Sequence, residues 1–263
     1  MNRNNYINNS NYYLEFGPSS SENKSSEIDR GVSVITITCR PNNINYIFEN
    51  YISQSFENKE LIILLNNNEM DIEKYKENAS KYKNIKILKL DESYTLGQCK
   101  NYAIESSTKD YIAFFDDDDY YAPNFLKQSL ETFDKVNADI VGKASFYIYF
   151  EESKTLGIFH HNYINQENRY VTHVADPSMI FKRKILEVIG KYPETQVNPD
   201  AIFQGNCLNY GYRIYSTDRY NFVLNRHPKP KLNHTWQVEE DDLLKSCDII
   251  KKNITEYQKY VDS

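Results

Sequence analysis

Short apolar runs rich in β-branched residues alternate with segments of helical period from Gly31 onward. Four of the runs are bounded by polar residues, as expected for strands buried on both faces. These runs cover residues 32–38, 61–65, 85–90 and 111–115. Helix candidates lie between and after them, at 45–54, 71–83, 96–106 and 124–133. The alternation predicts βαβ units and a largely parallel sheet, and therefore an α/β fold.

The rest of the chain is less regular, and we expect it to add strands to a mixed sheet. Strand-like sequence covers 140–150, 176–181 and a pair of runs within 213–225, and helix candidates lie at 183–190 and 201–210. The last segment, 237–263, predicts a C-terminal helix, because Asp241 and Asp242 in its first turn would favour the helix dipole. Residues 1–30 are rich in Asn and Ser, which predicts a disordered leader.

The charge balance restricts the partners of the chain. Its 31 basic and 37 acidic residues give a net charge of -6, which argues against a nucleic-acid surface. No sequence window reaches the roughly 20 apolar residues that a membrane-spanning helix requires, so any contact with a membrane would be peripheral. The four cysteines stand far apart without a CxxC pair, and the N-terminus has no apolar signal segment. We therefore expect reduced thiols and a cytoplasmic location.

Four consecutive carboxylates, Asp116 to Asp119, follow the apolar strand at 111–115 directly. Like charges this close raise each other's pKa and repel unless a cation neutralises them. Mg²⁺ or Mn²⁺ would do so with oxygen ligands shared between carboxylates and substrate phosphates. The alternative is a solvated acidic loop. The position after a strand favours the metal, because ligands of open α/β sheets bind at the carboxyl ends of strands.

Several motifs resemble, in order and spacing, those of the family 2 glycosyltransferases with the GT-A fold, over about residues 32–236. They are VSVITITCRPN, QSFENKELIIL, LGQCKNYAIE and YIAFFDDDDYYAPNFL. The last one matches the family's strand and DXD motif. The resemblance implies a Rossmann-like mixed central sheet flanked by helices. It also implies one domain over 31–236, with a nucleotide-binding half at 31–135 and an acceptor half at 136–236.

The resemblance also implies roles for individual residues. Asp118 and His234 would bind the metal, with His234 in the segment NHTW, and Asp200 would act as the catalytic base. Nucleotide contacts would come from Thr38, Arg40, Asn67, Lys100, Asp116 and Asp117. Asp119 would support the acidic run, and Asn101 would anchor backbone.

Some of these assignments have structural alternatives. Lys100 could be a solvated helix cation, Asp200 a helix N-cap beside Pro199, and His234 a structural side chain. His160 and His161 are expected in a mobile loop without a role beyond acceptor contact.

The chain departs from the family pattern at two places. Asn66 to Asn68 stand where the family has an Asp pair that accepts a hydrogen bond from uracil. The Asn67 amide oxygen could still accept, but the amide could also donate. Pro199 replaces the Glu that normally precedes the base.

The residues by themselves predict a metal-assisted site for a nucleotide diphosphate, and the resemblance implies a metal-dependent inverting glycosyltransferase that uses Mn²⁺ or Mg²⁺. Its donor would be a nucleotide-diphosphate sugar, with UDP ahead of dTDP. Its acceptor would be a glycan or a small molecule, in polysaccharide or surface-glycan synthesis. A nucleotidyltransferase is disfavoured, because the loop CRPNN lacks the glycines of a phosphate loop. A non-catalytic transferase-like binding protein is the other alternative.

Overall fold

The computed structural model describes residues 30–161, 164–228, 238 and 240–263. The expected leader, except its last residue, and His234 lie outside this part of the chain. Within it, no helix combines the length and hydrophobicity needed to cross a membrane.

The first half alternates strands and helices, as the sequence pattern predicts. Its elements are β1 (Val32–Thr38), α1 (Ile44–Ile52), β2 (Lys59–Leu65), α2 (Ile72–Ala79), β3 (Ile85–Lys89), α3 (Leu96–Glu105), β4 (Tyr111–Phe114), β5 (Tyr120–Tyr121) and α4 (Phe125–Lys135). Helix α3 starts at a capping box, in which Thr95 and Gln98 satisfy each other's backbone N–H groups. The acidic run begins two residues after β4.

The second half contributes short strands to two different sheets. Its elements are β6 (Ile140–Gly142), β7 (Ser145–Phe150), β8 (Thr155–His160), β9 (Arg169–Val171), β10 (Ile180–Lys182), α5 (Ile185–Ile189), α6 (Pro199–Asn209), β11 (Ile214–Ser216), β12 (Phe222–Arg226), α7 (Glu240–Lys245), β13 (Cys247–Lys251) and α8 (Gln258–Val261). A 3-10 turn at Asp176–Ser178 precedes β10.

The first sheet has the strand order β3-β2-β1-β4-β10-β6-β11-β9. Strands β3, β2, β1 and β4 are parallel neighbours, and β10 enters antiparallel between β4 and β6. The second sheet has the order β13-β8-β7-β12-β5. The strands β1 and β4 are completely or nearly completely buried, and their carboxyl ends lie side by side. This edge of the sheet is where an α/β protein binds its ligand.

Three predictions about the second half need correction. The stretch 140–150 is two strands in different sheets, and the two runs within 213–225 become β11 and β12, which also lie in different sheets. Residues 237–263 do not form one helix, since β13 lies between α7 and α8. Strand β13 pairs antiparallel with β8, and this contact from a distant part of the chain overrides the local helical preference.

Candidate active site

A cavity of about 470 Å³ opens at the carboxyl end of β4, between the two sheets. Its apolar wall includes Phe146 and Leu224 from the second sheet and Phe114 from the first. Its polar lining includes Lys100, Asp116, Asp118, Asp176, Asp200 and His227. The cavity therefore brings charged groups from both halves of the chain to one place.

Asp117 is the member of the acidic run that the first strand holds. Thr38, at the end of β1, donates a short hydrogen bond to its carboxylate. The Nη1 atom of Arg40 lies 2.6 Å from Oδ1 of Asp117 and also forms an ion pair with Asp118. Arg40 thus neutralises part of the negative charge of the run.

Asp118 lies between Arg40 and His227. The Nε2 atom of His227 is 3.2 Å from Oδ2 of Asp118, and its Nδ1 atom is 2.7 Å from Oε2 of Glu151. Hydrogen bonds to Asp118 and Glu151 raise the pKa of His227, although burial opposes this. In metal sites, a histidine that binds the metal through one ring nitrogen is commonly oriented by a carboxylate at the other. Glu151 occupies that second position at His227, and Asp118 faces the first.

Asp119 fixes the run to the protein. Its Oδ1 accepts a 2.9 Å hydrogen bond from the backbone N–H of Asn225 in β12, and its carbonyl accepts one from Asn50 at 2.8 Å. Asp119 and Asp117 are only 3% and 6% exposed. This burial excludes the solvated acidic loop as an explanation of the run.

The run is electrostatically strained. Desolvation together with the Asp118 charge raises the pKa of Asp116 to about 7 and that of Asp117 to about 6. Asp116 is exposed and lines the cavity, whereas Asp117 and Asp119 are buried. The pKa of Asp119 is also raised, mainly by burial. A cation or a hydrogen-bonding ligand in the cavity would relieve these charges.

Tyr121 links the acidic run to the 3-10 turn. Its hydroxyl accepts a 2.9 Å hydrogen bond from the Asp116 N–H and donates a 2.8 Å hydrogen bond to the Pro177 carbonyl. The ring is fully buried and stacks on Phe115 with the centroids 3.7 Å apart. The positions of Asp116 and the neighbouring Asp176 are therefore coupled.

Lys100, from α3, bridges two carboxylates that come from the 3-10 turn and from α6. Its Nζ atom is 2.9 Å from Oδ2 of Asp176 and makes a shorter contact with Oδ1 of Asp200. Lys100 is 2% exposed, so it is not a solvated helix cation. Asp200 is not an N-cap either, because Asn198 holds that position and Asp200 lies in the first turn of α6.

The Asn triplet after β2 is held by local hydrogen bonds. The amide oxygen of Asn67 accepts from the Glu69 N–H at 2.8 Å, and its amide nitrogen donates to the Cys39 carbonyl at 3.0 Å. Asn68 donates to Oδ2 of Asp91 at 2.9 Å, which places a carboxylate beside the triplet. An amide oxygen can accept two hydrogen bonds and an amide nitrogen can donate two, so Asn67 keeps the capacity for a further bond to a nucleobase.

The structure brings most of the expected site residues to one edge of the sheet and adds others. Thr38, Arg40 and the acidic run meet at the ends of β1 and β4, whereas Lys100 joins Asp200. His227, Glu151 and Asp176 were not expected. The sequence feature that could have pointed to His227 is its position directly after a buried strand. Its two carboxylate partners are distant in sequence, so the sequence does not show that they meet.

The remaining histidines and Asn101 can also be placed. His160 lies in β8 rather than in a loop, and its Nδ1 is 2.8 Å from the Ser145 hydroxyl. His161 lines the cavity beside His173, with the ring centroids 5.2 Å apart. Asn101 exchanges hydrogen bonds with the backbone of Tyr192, which confirms that it anchors backbone.

The sequence model described as Glycosyl transferase family 2 matches residues 33–190, which is more than half of the chain. The chain therefore belongs to glycosyl transferase family 2. None of the curated proteins matches it significantly.

Solved structures show the same fold. The chain resembles S. aureus TarS 1-349 in complex with UDP-GlcNAc, with a TM-score of 0.61 and 17% identity, over 82% of this chain and 64% of that one. It also resembles the mannosyltransferase PcManGT from Pyrobaculum calidifontis in complex with GDP-Man and Mn²⁺, with a TM-score of 0.57 and 14% identity, over 85% and 66%. The chain thus has the GT-A fold and spans about two thirds of these solved chains or slightly less.

Proposed function

We propose that this protein transfers a sugar from a nucleotide-diphosphate donor to an acceptor hydroxyl, with inversion, and that it needs a divalent cation. The observation that carries the proposal is the pairing of Asp118 with His227 in the cavity that also contains Asp200. Membership of the family supports sugar transfer. The acceptor is proposed to be a glycan or a small molecule, in polysaccharide or surface-glycan synthesis.

The residues present fit a divalent cation. If Nδ1 of His227 donates to Glu151, its Nε2 carries a lone pair that faces an oxygen of Asp118, so either a proton or a cation has to lie there. Among the described residues, no three His, Cys, Asp or Glu side chains form a complete metal cage. An open site with two protein ligands suits Mg²⁺ or Mn²⁺, which retain waters and bind substrate phosphates.

Asp118 and His227 would hold this cation. His234, the other ligand expected from the sequence, lies outside the described residues. A bound cation would supply positive charge to the leaving diphosphate. This role is consistent with PcManGT, whose solved structure contains both GDP-Man and Mn²⁺.

Asp200 would accept the proton of the acceptor hydroxyl as its oxygen attacks the anomeric carbon. The bond from that carbon to the diphosphate breaks, and its electron pair leaves with the diphosphate. A single displacement of this kind inverts the anomeric centre. Lys100 keeps Asp200 in the ionised form that can accept a proton, because its ammonium group lowers the pKa of that carboxyl against the effect of burial.

Thr38 and Arg40 would hold the base and ribose, with Asp116 and Asp117 on the ribose side and Asn67 beside the base. UDP is proposed ahead of dTDP, and the TarS complex with UDP-GlcNAc supports this choice. In this arrangement Lys100 would act next to Asp200 rather than on the nucleotide.

A thermal-shift screen of UDP, dTDP, GDP and CDP, each with Mn²⁺ and with EDTA, tests the proposal. A ligand that binds only the native state raises its apparent stability, by about 2.7 kcal/mol at a hundredfold excess over Kd. We expect UDP or dTDP to stabilise the protein only with metal. Asp118→Asn should lose this effect, although without ligand it should melt at the same temperature as the wild-type protein. No response to any nucleotide would contradict the proposal and favour a non-catalytic glycan-binding protein.

A further inference from the structure

The Asp176–Lys100–Asp200 cluster contains one buried ammonium group and two carboxyl groups. Asp176 comes from the 3-10 turn and Asp200 from α6, and both line the cavity. The Lys100 ammonium lies over the Phe114 ring at 3.9 Å and contacts both carboxyls. If both carboxyls were ionised, the cluster would hold one uncompensated negative charge beside the acidic run.

The two carboxyls are not equally satisfied. Oδ2 of Asp176 accepts from Lys100, but Oδ1 is buried and receives a hydrogen bond from no described group. An ionised carboxylate is an acceptor only, and leaving a buried acceptor unsatisfied is unfavourable because the atom has lost its hydrogen bonds to water. A proton on Oδ1 would turn this atom into a donor, and the neighbouring acceptor is Asp200, whose carboxyl contacts the same Lys100 ammonium group.

We propose that Asp176 carries a proton in the resting protein and donates a hydrogen bond to Asp200, so that it acts as a positioning residue for the proton acceptor. The proposal rests on the proposed function for the role of Asp200, but not for the protonation of Asp176. Asp200 then stays ionised and faces the acceptor, held by Lys100 and Asp176. During transfer, the acceptor proton goes to Asp200, and Asp176 keeps its own.

The pKa directions agree with this arrangement. Burial and the Asp200 charge raise the pKa of Asp176 well above its ordinary value. Burial also acts against the ionised form of Asp200, but Lys100 and the hydrogen bond from Asp176 outweigh it and lower the pKa. The Tyr192 hydroxyl lies beyond hydrogen-bond geometry, yet near enough to contribute to this lowering.

Other charged or titratable groups also face the pair. They are Asp116 after β4, Tyr121 in β5, His173 before the 3-10 turn and Tyr192 before α6. Asp116 raises the pKa of Asp176 further, and Tyr121 and Tyr192 have raised pKa values and stay neutral. The pKa of His173 is lowered by burial, so this side chain adds no positive charge near neutral pH. None of these groups competes with Lys100 as a cation.

The first experiment measures the carboxyl carbon shifts of ¹³C-labelled protein against pH in EDTA, with signals assigned by Asp176→Asn and Asp200→Asn. We expect Asp176 to be protonated at pH 7 and Asp200 to be ionised. An ionised Asp176 at pH 7 would overturn the proposal. This measurement does not depend on activity, so failure of the proposed function leaves it intact.

The second experiment measures the pH profile of UDP release from UDP-GlcNAc in Mn²⁺, with water as acceptor. Asp176→Ala removes the donor to Asp200, and its activity on the acidic limb should fall about tenfold, equivalent to a rise of one unit in the Asp200 pKa. Asp176→Asn keeps a hydrogen-bond donor beside Asp200, so the acidic limb of its pH profile should match that of the wild-type protein. Loss of release in Asp176→Asn equal to that in Asp200→Asn, or an unchanged limb in Asp176→Ala, would contradict the proposal. Absence of release from the wild-type protein would contradict the proposed function instead.

Discussion

The imidazole of His227 and the carboxylate of Asp118 face each other across 3.2 Å, although they come from opposite halves of the chain. His227 follows β12 directly, and β12 also supplies the N–H that fixes Asp119. The same strand therefore positions the acidic run and the histidine that faces it. The site depends on the pairing of distant segments as well as on the acidic motif.

Replacement of His227 tests this relationship. We expect His227→Ala to fold normally but to lose most of the metal-dependent stabilisation by a nucleoside diphosphate, because it removes one of the two proposed protein ligands. Calorimetric titration of each protein with UDP in the presence of Mn²⁺ measures the loss of binding. His161→Ala is the matched control, since His161 lines the same cavity without contacting the acidic run. Equal behaviour of the two variants would show that His227 is not a ligand.

Gly97 in α3 is expected to be intolerant of a side chain. A Cβ atom there would lie 1.8 Å from the Pro193 carbonyl oxygen, so backbone has to move. Gly97→Ala should lower the free energy of unfolding by about 3 kcal/mol, as overpacking does. In α6, a Cβ on Gly205 meets no described atom within 4 Å. Gly205→Ala should therefore be neutral or stabilise by about 0.5–1 kcal/mol. Urea unfolding of both variants checks the contrast.

Tyr121→Phe removes the hydroxyl that joins Asp116 to Pro177 but keeps the stacked ring. The loss of two buried hydrogen bonds should cost about 1–3 kcal/mol in unfolding free energy. Tyr120→Phe provides the control, because the Tyr120 hydroxyl bonds to Asp262 in a more exposed position. Its cost should be about 0.5 kcal/mol or less. Similar costs for the two variants would argue against the coupling role of Tyr121.

The raised pKa of Asp116 predicts a stability difference that depends on pH. An Asp whose folded-state pKa is about 7 destabilises the fold progressively as pH rises from about 4 to 7, because the unfolded chain ionises first. In EDTA, Asp116→Asn should therefore raise the melting temperature most at pH 8 and least at pH 4.

Asp91 is the control with the opposite sign. Hydrogen bonds from Ser93 and Asn68 lower its pKa, so its ionised form contributes stability above the ordinary Asp pKa. Asp91→Asn should lower the melting temperature at pH 8, and this effect should fade only as the pH falls below the ordinary Asp pKa and through the lowered pKa of the folded state. A pH-independent difference for Asp116→Asn would mean that its carboxylate is not strained.

Local pattern was sufficient for the first half of the fold. The strands β1 to β4 are short, apolar and bounded by polar residues, and their order leaves few alternatives for a parallel sheet. The acidic run could be placed at a strand end for the same reason. The backbone-anchoring role of Asn101 also followed from its residue type.

Contacts between distant segments limited what could be predicted for the second half of the fold and for the site. Lys100 meets Asp176 and Asp200 across 76 and 100 positions, and no local pattern predicts that one lysine serves both. Strand character in 140–150 could be read, but the change of sheet inside it could not. The pairing of β13 with β8 likewise depends on an exposed strand edge that exists only in the folded protein.

Two segments of backbone pass together from the first sheet to the second. Strand β6 pairs parallel with β11 in the first sheet. Both segments then pass to the second sheet, where β7 pairs parallel with β12. Lys143, 1% exposed at the crossing, donates to the Thr217 hydroxyl at 3.0 Å and to the Asp218 carbonyl at 2.7 Å. Its backbone N–H donates to the Ser178 hydroxyl in the 3-10 turn at 2.9 Å.

The crossing therefore supports the residues on both sides of the cavity at once, since β12 leads to His227 and the 3-10 turn contains Asp176. An insertion or deletion in either crossing segment would shift His227 and Asp176 together. Evolution or design could more readily alter the size of the cavity through the loops around it than through this joint.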